Sequence, residues 1–415
     1  MSKIKIKNFG PIKEGMLDND GWIDIKKVTV FIGNQGSGKS TVAKVFSTLS
    51  WLEKAMVKGI LRQDELNAKN RFSKYLAYQR ISNYLSGNTE IEYIGRAFSF
   101  TYSNQNFTAY KSEGNGYLLP KIMYVPAERN FLSVVDRPDK LKNLPSTLYT
   151  FNDEYDAAKN LYADGLQLPI NNIWFEYDRL NKLAHISSEK EKFQLRLSES
   201  SSGFQSTVPL FLVSKYLTDS LTIEIDPSIK ENSLEEQKKL EKEMRLILAD
   251  TQISPEVRQI YLRQLSARRN PSCFLNIVEE PEQNLFPDSQ RNILNELIRF
   301  VNAKDGNRLL MTTHSPYLIN YLTLAVKAGN VYKSLTEKGS RLKDPEFAQT
   351  NEIVPMSSTV VADDLAIYQL DEKKGIIKKL PDYKGLPSDE NYLNSGLEDS
   401  NELFAQLQEI ERGWR

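Results

Sequence analysis

Residues Gly33 to Ser40 have the composition and spacing of a phosphate-binding loop. In Gly33-Asn34-Gln35-Gly36-Ser37-Gly38-Lys39-Ser40, three glycines precede a lysine and a hydroxyl. Glycines allow backbone N–H groups to point at phosphate oxygens, while lysine adds a mobile positive charge and serine a hydroxyl for Mg²⁺. We therefore predict that the triphosphate is held by Asn34, Gln35, Gly36, Ser37, Gly38, Lys39, Ser40 and Thr41, with Ser40 on the metal.

Two adjacent carboxylates follow an apolar run, Phe274-Leu275-Asn276-Ile277-Val278, which reads as a buried strand. The carboxyl end of such a strand lies at the crevice where α/β sheets bind ligands. Glu279 is predicted to reach the Mg²⁺ shell, directly or through water, and Glu280 to orient or deprotonate the attacking water. A solvated acidic turn is the alternative, and the phosphate loop elsewhere in the chain argues against it.

His314 also follows a short apolar strand, Leu309 to Thr312. A neutral imidazole there could contact the γ-phosphate and the nucleophilic water, so His314 is predicted to be catalytic with Glu280. The other histidine, His185, lies in a polar stretch that suggests an exposed helix, and we expect it to be structural.

A serine cluster, Ser200-Ser201-Ser202-Gly203, opens a second predicted helix. Free N–H groups and hydroxyls at a helix start can bind an anion. Because one triphosphate needs only one phosphate loop, we predict that Ser201, Ser202 and Gly203 contact the nucleotide held by another copy. Without that context the cluster would be interpreted as a flexible serine loop.

The elements around these residues alternate between strand and helix. Val28, Val30 and Ile32 predict a strand before the glycine loop, and Val42, Val45, Phe46, Leu49 and Leu52 predict one face of a helix after it. Short strands are predicted between 92 and 126, mostly helices between 130 and 270, an α/β alternation from 273 to 312, a strand from Val360 to Leu370 and a terminal helix from about Ser400. A capping box at Ser233 and Glu236 and the pair Ser254-Pro255 mark two helix starts.

Composition sets the outer limits. The 415 residues carry 54 basic and 54 acidic side chains, so no global field favours nucleic acid or basic partners. One cysteine and two histidines exclude an intramolecular disulfide framework and leave too few soft ligands for structural zinc. We expect a cytoplasmic protein with no membrane-spanning segment, since the opening residues alternate like a strand and lack the apolar run of a signal peptide.

In this order the four elements resemble ABC-type ATPases of the RecF, SMC and OLD group. The resemblance extends from Asn8-Phe9-Gly10-Pro11-Ile12 through Tyr124-Val125-Pro126-Ala127-Glu128-Arg129 to Thr312-Thr313-His314-Ser315-Pro316. It implies ATP and Mg²⁺ as ligands, Ser201 to Gly203 as the signature loop, residues 281 to 284 as the loop that crosses the dimer interface, and His314 as the switch histidine.

The chain also departs from that pattern. ABC proteins usually have an aspartate at the position of Glu279. The OLD-like branch has a glutamate there, as this chain does. Pro209 should kink the signature helix or confine it to an early turn. No glutamine is assigned to the Q-loop, and Arg129 is either close to phosphate or structural.

The predicted fold is α/β: an ABC-type head with a mixed central sheet, an antiparallel β portion and a helical insertion lobe. Its predicted parts are an ATPase lobe with the phosphate loop (1–130), the helical lobe with the signature loop (131–270), the core with the acids and the histidine (271–340), and a completing strand and helix (341–415). The last part is too short for the Toprim nuclease that OLD-like relatives carry, and Asp363, Asp364 and Asp371 lack the α/β pattern around them.

Three functions are compared. The resemblance favours an ATP-hydrolysing switch that is gated by dimerisation and controls a separate effector, a nuclease or toxin encoded nearby, as in bacterial anti-phage defence. The alternative is a RecF-like repair ATPase that clamps DNA, for which Arg258, Arg263, Arg268 and Arg269 would form a phosphate-binding stripe. A small-molecule kinase would explain the glycine loop but neither the serine cluster nor the Glu280 and His314 pair.

Overall fold

A computed structural model describes residues 2–67, 71–112, 116–135, 144–188, 190, 192–221, 246–247, 257–258, 261, 271–339 and 344–413. The predicted capping box at Ser233 and Glu236 and the helix start at Ser254-Pro255 lie outside these residues.

The strands are β1 Ser2–Lys7, β2 Gly15–Met16, β3 Ile23–Ile25, β4 Val28–Gly33, β5 Glu90–Ile94, β6 Phe98–Ser103, β7 Asn106–Lys111, β8 Pro120–Val125, β9 Leu166–Gln167, β10 Trp174–Asp178, β11 Leu183–Ser188, β12 Phe193–Arg196, β13 Cys273–Glu279, β14 Arg308–Thr313, β15 Leu365–Asp371, β16 Ile376–Lys379, β17 Asp382–Tyr383 and β18 Leu386–Pro387. The α-helices are α1 Lys39–Val57, α2 Gln63–Leu66, α3 Arg71–Ala77, α4 Phe131–Val134, α5 Ser146–Leu161, α6 Ser202–Asp219, α7 Pro287–Asn302, α8 Pro316–Glu337, α9 Pro345–Ile353 and α10 Tyr392–Gly413.

A mixed seven-stranded sheet forms the centre, in the order β2-β16-β15-β4-β14-β13-β8. Its five strands from β15 to β8 are mutually parallel, whereas β16 runs antiparallel to β15. The carboxyl ends of the parallel strands therefore meet at one edge of the sheet, which brings the loops after β4, β13 and β14 together. The expected α/β fold with a mixed central sheet is confirmed.

An antiparallel five-stranded sheet, β3-β1-β5-β6-β7, lies over α1. The apolar side chains of α1 and β1 are buried together with Phe31 of β4 and Ile277 of β13 in one core cluster. The 3.6-residue spacing predicted for the helix after the glycine loop thus packs α1 between this sheet and the central sheet. A second cluster on the other face of the central sheet buries α5, α6, α7 and α8.

The prediction of mostly helices between 130 and 270 is wrong for part of that region. Residues 166–196 contain a four-stranded antiparallel sheet in the order β12-β11-β10-β9. Phe175 and Ile186 pair across it and are both buried, so the two-residue alternation of a half-buried strand decides the local structure. His185 lies in β11 opposite Glu176, and not in a helix.

Towards the end of the chain, the predicted strand is β15, which begins at Leu365, and the predicted terminal helix begins earlier than expected, at Tyr392. The four-part division of the chain stays a prediction, although strands from the first, third and fourth parts share the central sheet. No helix in the described part of the chain has the length and apolar character needed to cross a membrane.

Candidate functional site

The phosphate loop wraps around its own lysine. Between β4 and α1, the Ser37 N–H donates to the Asn34 carbonyl at 3.3 Å, and Gly38 immediately before α1 has a left-handed φ of 101°. A Cβ at Gly38 would lie 3.1 Å from both Pro11 and Ile12, so both the backbone conformation and the close packing require glycine there. Asn34, Gln35 and Gly36 form the exposed outer wall of the loop.

Lys39 is buried at the start of α1 and donates to the carbonyl oxygens of Gly33 at 2.8 Å and Asn34 at 2.9 Å. Burial lowers its pKa to about 8, although four nearby glutamates, Glu280 foremost, act in the opposite direction. Ser40 and Thr41 follow in the first turn of α1, where free helical N–H groups favour an anion. The loop therefore has the parts that the sequence predicts for holding phosphate.

Glu279 ends β13 and is almost fully buried. Its Oε1 accepts the hydroxyl of Tyr124 at 2.7 Å, and its Oε2 accepts the backbone N–H of Ala127 at 3.2 Å. Burial raises the pKa of Tyr124 well above its usual range, and the charge of Glu279 and the hydrogen bond that Tyr124 donates to it act in the same direction. Each carboxylate oxygen keeps a second acceptor position, so Glu279 is suited to hold a metal-bound water.

Glu280 is placed by an unusual backbone conformation. Its φ of 45° lies in the left-handed region, which side-chain-bearing residues rarely adopt, and its N–H donates to the Thr312 carbonyl at 2.9 Å. A carboxylate oxygen of Glu280 lies 3.4 Å from Nε2 of His314. The hydrogen bond from His314 is the main cause that lowers the Glu280 pKa, so this carboxylate is ionised at neutral pH.

The imidazole of His314 lies between the carboxylate of Glu280 and the amine of Lys39. Its Nδ1 is 3.5 Å from Nζ of Lys39, while its Nε2 faces Glu280. An ammonium can only donate, so a neutral His314 accepts at Nδ1 and carries its proton at Nε2, from which it donates to Glu280. Phosphate loop, histidine and acid are thus joined in the order Lys39, His314, Glu280.

Glu282 positions the residues at the end of β14. The sequence predicts for it only a place in the loop 281–284 at the dimer interface. Its Oε1 accepts both the hydroxyl of Thr313 at 2.8 Å and the backbone N–H of His314 at 2.7 Å. Burial raises its pKa above the usual range. The carboxylate of Glu282 therefore fixes the end of β14, and with it the ring of His314.

The serine cluster lies beside the turn after Glu280. Ser201 and Ser202 are exposed, and Ser201 precedes α6 without a capping side-chain hydrogen bond. A Cβ on Gly203 would lie 2.9 Å from the carbonyl oxygen of Asn284, so glycine allows close contact between α6 and this turn. The predicted signature residues therefore present open hydroxyls and N–H groups at the same edge of the molecule as the acids.

Pro209 lies within α6, neither at its end nor in its first turn, so the expectation of an early turn is wrong, while that of a kink stays a prediction. The helix continues to Asp219. Proline has no N–H to donate to the carbonyl of Gln205, four residues earlier, and this carbonyl instead accepts the hydroxyl of Ser133 at 2.7 Å. The side chain of Gln205 in turn donates to the carbonyls of Ser198 and Ser200, which orders the serine cluster.

Arg129, whose role the sequence left open, is fully buried and points at main chain. It donates to the carbonyl oxygens of Glu279 and Glu280, each at 2.6 Å, and to those of Pro126 at 3.2 Å and Ser206 at 3.1 Å. Burial lowers its pKa to about 10, which leaves it protonated at neutral pH. The side chain of Arg129 therefore bonds only main-chain carbonyls in these contacts, which is a structural role.

The described residues include no group of three or more His, Cys, Asp or Glu that could hold a metal alone. Mg²⁺ commonly takes one or two protein groups, and phosphate oxygens and waters complete its shell. The Ser40 hydroxyl in the first turn of α1 and the buried Glu279 carboxylate, with acceptor positions left, fit that pattern. His185, in contrast, lies in the separate four-stranded sheet.

Sequence patterns located the loop, both acids and His314, but not the side chains that hold them. Tyr124, Glu282 and Arg129 act on residues up to 155 positions away in the chain. For Arg129 the sequence gives one signal, the polar segment 126–130 that follows β8. A parallel strand that ends in polar residues predicts that they lie at the carboxyl edge of the sheet, with the acids.

No family model and no curated protein matches the chain. Among solved structures it is similar to the SMC head domain from Thermotoga maritima, with 11% identity, coverage of 92% of this chain and 98% of that chain, and a TM-score of 0.37. It is also similar to an SmcHead bound to the C-winged helix domain of ScpA, with 9% identity, coverage of 91% and 95%, and a TM-score of 0.38. A Smc head domain with an extended coiled coil, bound to the C-terminal domain of ScpA derived from Pyrococcus furiosus, gives 9% identity, coverage of 98% and 100%, and a TM-score of 0.38.

Proposed function

We propose that the chain is an ABC-type ATPase that hydrolyses ATP to ADP and phosphate with Mg²⁺, at sites shared between two copies. The observation that carries this proposal is the arrangement of Lys39, His314 and Glu280 around the loop that ends β4. It joins a phosphate-binding lysine, an imidazole and an ionised carboxylate within contacts of 3.5 and 3.4 Å.

Each residue has a defined task. Lys39 and the N–H groups of the loop bind the β- and γ-phosphates, and Glu280 accepts the proton of the attacking water. His314 donates from Nε2 to Glu280, which holds this carboxylate in place, and its ring lies close to Lys39, where the γ-phosphate is expected. Glu282 and Tyr124 keep His314 and Glu279 in position through the hydrogen bonds described above.

Ser40 and Glu279 are the residues that would hold Mg²⁺, Ser40 through its hydroxyl and Glu279 through water. When bound, the ion neutralises charge on the phosphate oxygens.

The separation of the two anion-binding elements supports a site shared between copies. The start of α6 packs on the turn after β13, and β13 is separated by β14 from β4, which leads to the phosphate loop. With about 4.8 Å between neighbouring strands, these two steps amount to about 10 Å. A triphosphate on the loop is therefore displaced sideways from Ser201 to Gly203 of its own chain, and these residues remain open to a nucleotide held by a partner.

Complementation between two inactive variants tests this arrangement. Lys39→Ala removes the loop charge, and Ser202→Asp places a negative charge at an exposed helix start, where aspartate does not disfavour the helix. In a mixed dimer one site combines the intact loop of one copy with the intact serine cluster of the other. Random pairing makes half the dimers mixed, each with one complete site, so an equimolar mixture should recover hydrolysis, to at most about a quarter of the wild-type rate.

The matched control mixes Lys39→Ala with Glu280→Gln. Both substitutions affect the loop-bearing side of a site, so in a mixed dimer each site lacks one of the two groups and no activity returns. Recovery in the control mixture, or none in the test mixture, would contradict a composite site. A turnover number of the wild-type protein that stays constant when dilution separates the subunits would contradict it as well.

We further propose that this cytoplasmic ATPase is a switch: ATP closes a homodimer or higher assembly of heads, hydrolysis reopens it, and a separate effector responds. The resemblance to phage-defence ATPases makes a nuclease or toxin encoded nearby the expected effector. An exposed apolar stripe on α10 supports the presence of a protein partner. Its members are Leu403, Phe404, Leu407 and Ile410, each more than half exposed.

The start of α10 is connected to the phosphate loop. The Tyr392 N–H donates to the side chain of Gln369 in β15, and Glu372 just after β15 accepts the amide of Asn34 at 3.2 Å. A change in the loop on nucleotide binding could therefore reach α10 through the end of β15.

The RecF-like alternative rests on four arginines, of which only Arg258 lies in the described residues. Hydrolysis that is stimulated by DNA and falls steeply with salt would favour it over control of an effector.

A further inference from the structure

Arg129 satisfies four main-chain carbonyls and contacts them from inside the protein. Two of its acceptors, at Glu279 and Glu280, belong to the acidic turn, one at Ser206 belongs to α6, and one at Pro126 belongs to its own loop. A charged guanidinium with no exposed surface is costly to bury, and its planar fork can reach several acceptors that a lysine cannot reach together. Its geometry therefore suits a connection between segments.

At the acidic turn, Arg129 holds a strained residue. The left-handed φ of Glu280 costs free energy and persists only where surrounding contacts determine it. The Glu280 carbonyl accepts bonds from Arg129 and from the Gln283 N–H, and the Glu280 N–H donates to Thr312. The direction of the Glu280 carboxylate thus depends on the guanidinium behind it.

At the helix, the same arginine meets the first turns of α6. Its Nε donates to Ser206, and the Ser206 hydroxyl donates to the side chain of Gln283 in the turn after Glu280 at 2.9 Å. Gly203 packs against the carbonyl of Asn284 in that turn. The start of α6 and the acidic turn are consequently joined once through Arg129 and twice directly.

We infer that Arg129 is a positioning residue that couples the seating of α6 on a partner's phosphate to the placement of Glu280 in its own chain. The coupling rests on the proposed function, since it assumes that the serine cluster contacts the partner's nucleotide. Binding of the partner's phosphate to Ser201 to Gly203 displaces the start of α6. Arg129 transmits this displacement to the carbonyls of Glu279 and Glu280. Occupation of the serine cluster in each copy would then raise the rate at which that copy hydrolyses its own ATP.

Arg129→Lys tests this inference, with Arg308→Lys as the matched control. Lysine keeps the charge of Arg129 but cannot span the four carbonyls. Arg308 is a partly buried arginine at the opposite end of β14, where it donates to Ser2 at 3.1 Å. Nucleotide affinity, kcat and KM are measured, and backbone amide hydrogen exchange is followed in segments 203–206 and 280–285 without nucleotide.

We expect Arg129→Lys to keep nucleotide affinity and KM within about threefold of wild type, because the phosphate loop is intact, while kcat falls about a hundredfold. Exchange should accelerate in both segments together and remain unchanged in β14. Arg308→Lys should change none of these quantities at the site. A kcat within threefold of wild type, or faster exchange spread evenly over the whole chain, would overturn the inference.

Ser206→Ala serves if Arg129→Lys does not fold, because it removes only the bond to Gln283. It should lower kcat about tenfold at unchanged affinity, and an unchanged kcat would overturn the coupling. Wild-type protein that neither hydrolyses ATP nor pairs would refute the proposed function instead, and hydrogen exchange would then still show whether Arg129 ties the two segments.

Discussion

Nε2 of His314 lies 3.4 Å from the carboxylate of Glu280, while the other ring nitrogen faces Lys39. The ring thus connects the lysine that is proposed to bind phosphate with the carboxylate that is proposed to accept a proton. The hydrogen bond from His314 lowers the Glu280 pKa, which keeps the base ionised but also makes it a weaker base. The geometry therefore favours a role for Glu280 in positioning the water rather than a role as a strong base.

Glu280→Gln should reduce kcat by a factor of about 10² to 10⁴, because the amide keeps the shape of the side chain but cannot accept the proton. ATP should still bind and close the heads, so the variant accumulates as ATP-bound dimers. Single-turnover hydrolysis and sedimentation with ATP measure both effects.

Glu352→Gln is the control, since Glu352 is exposed on α9, far along the chain from the acids. It should hydrolyse and dimerise like wild type. Wild-type turnover by Glu280→Gln would remove Glu280 from the role of base.

ATP affinity should fall as pH rises above about 8. Without nucleotide the Lys39 pKa is about 8, so above that pH the free protein holds a neutral amine and must take up a proton to bind phosphate. The loss approaches tenfold per pH unit, and between pH 7 and pH 9.5 it should exceed about tenfold. Titrations in buffers of different ionisation enthalpy would also detect the proton uptake.

Lys39→Ala should weaken binding at every pH and abolish this slope. Lys39→Arg provides the matched control, because arginine stays protonated over the same range and its affinity should be level with pH. A wild-type affinity that does not change between pH 7 and pH 9.5 would contradict the assignment of Lys39, as would an unchanged affinity in Lys39→Ala.

Glu282→Gln should gain stability relative to wild type as pH rises. Burial raises the folded-state pKa of Glu282 above its ordinary value of 4.5, so the folded protein binds this proton more tightly than the unfolded chain. The contribution of this carboxyl is therefore fully present below about pH 4.5 and is lost as pH rises through the folded pKa. Glutamine does not titrate, and it keeps an acceptor for Thr313 and the His314 N–H.

The measurement is the melting temperature of Glu282→Gln minus that of wild type at pH 5 and at pH 7.5. This difference should be more positive at pH 7.5, and the same difference for Glu352→Gln should not change with pH. A difference that becomes more negative with pH would show that ionised Glu282 stabilises the fold, against the raised pKa.

Replacing Leu403 and Leu407 of α10 with glutamine should leave ATP hydrolysis unchanged and weaken binding of the product of a neighbouring gene by at least about tenfold. Both side chains are more than half exposed, so the head should keep its fold. Gln408→Ala on the same helix is the control. Unchanged binding of that product by the double variant would exclude the apolar stripe as its docking surface.

Much of the site follows from local sequence patterns. The glycine spacing, the alternating apolar residues before it and the helical periodicity after it locate β4, the loop and α1 without knowledge of the rest of the chain, because each pattern reflects the conformation of the residues that carry it. The same holds for β13 with its two acids and for β14 with His314. Between 166 and 196 the prediction of mostly helices is wrong, since strands this short depend on their cross-strand partners such as Phe175 and Ile186.

The sequence by itself predicted which residues bind phosphate, and it determined where the carboxylates and the imidazole stand along the chain. Only the tertiary structure decided that β13 lies between β14 and β8, and that order is what brings Tyr124 to Glu279 across 155 residues and Arg129 to both Glu280 and α6. Strand order is set by which apolar faces pack together over the whole chain, and a buried arginine finds its carbonyls only after that packing exists. The local sequence gives the identity of the chemical groups, whereas the packing of the folded core determines how they are aligned.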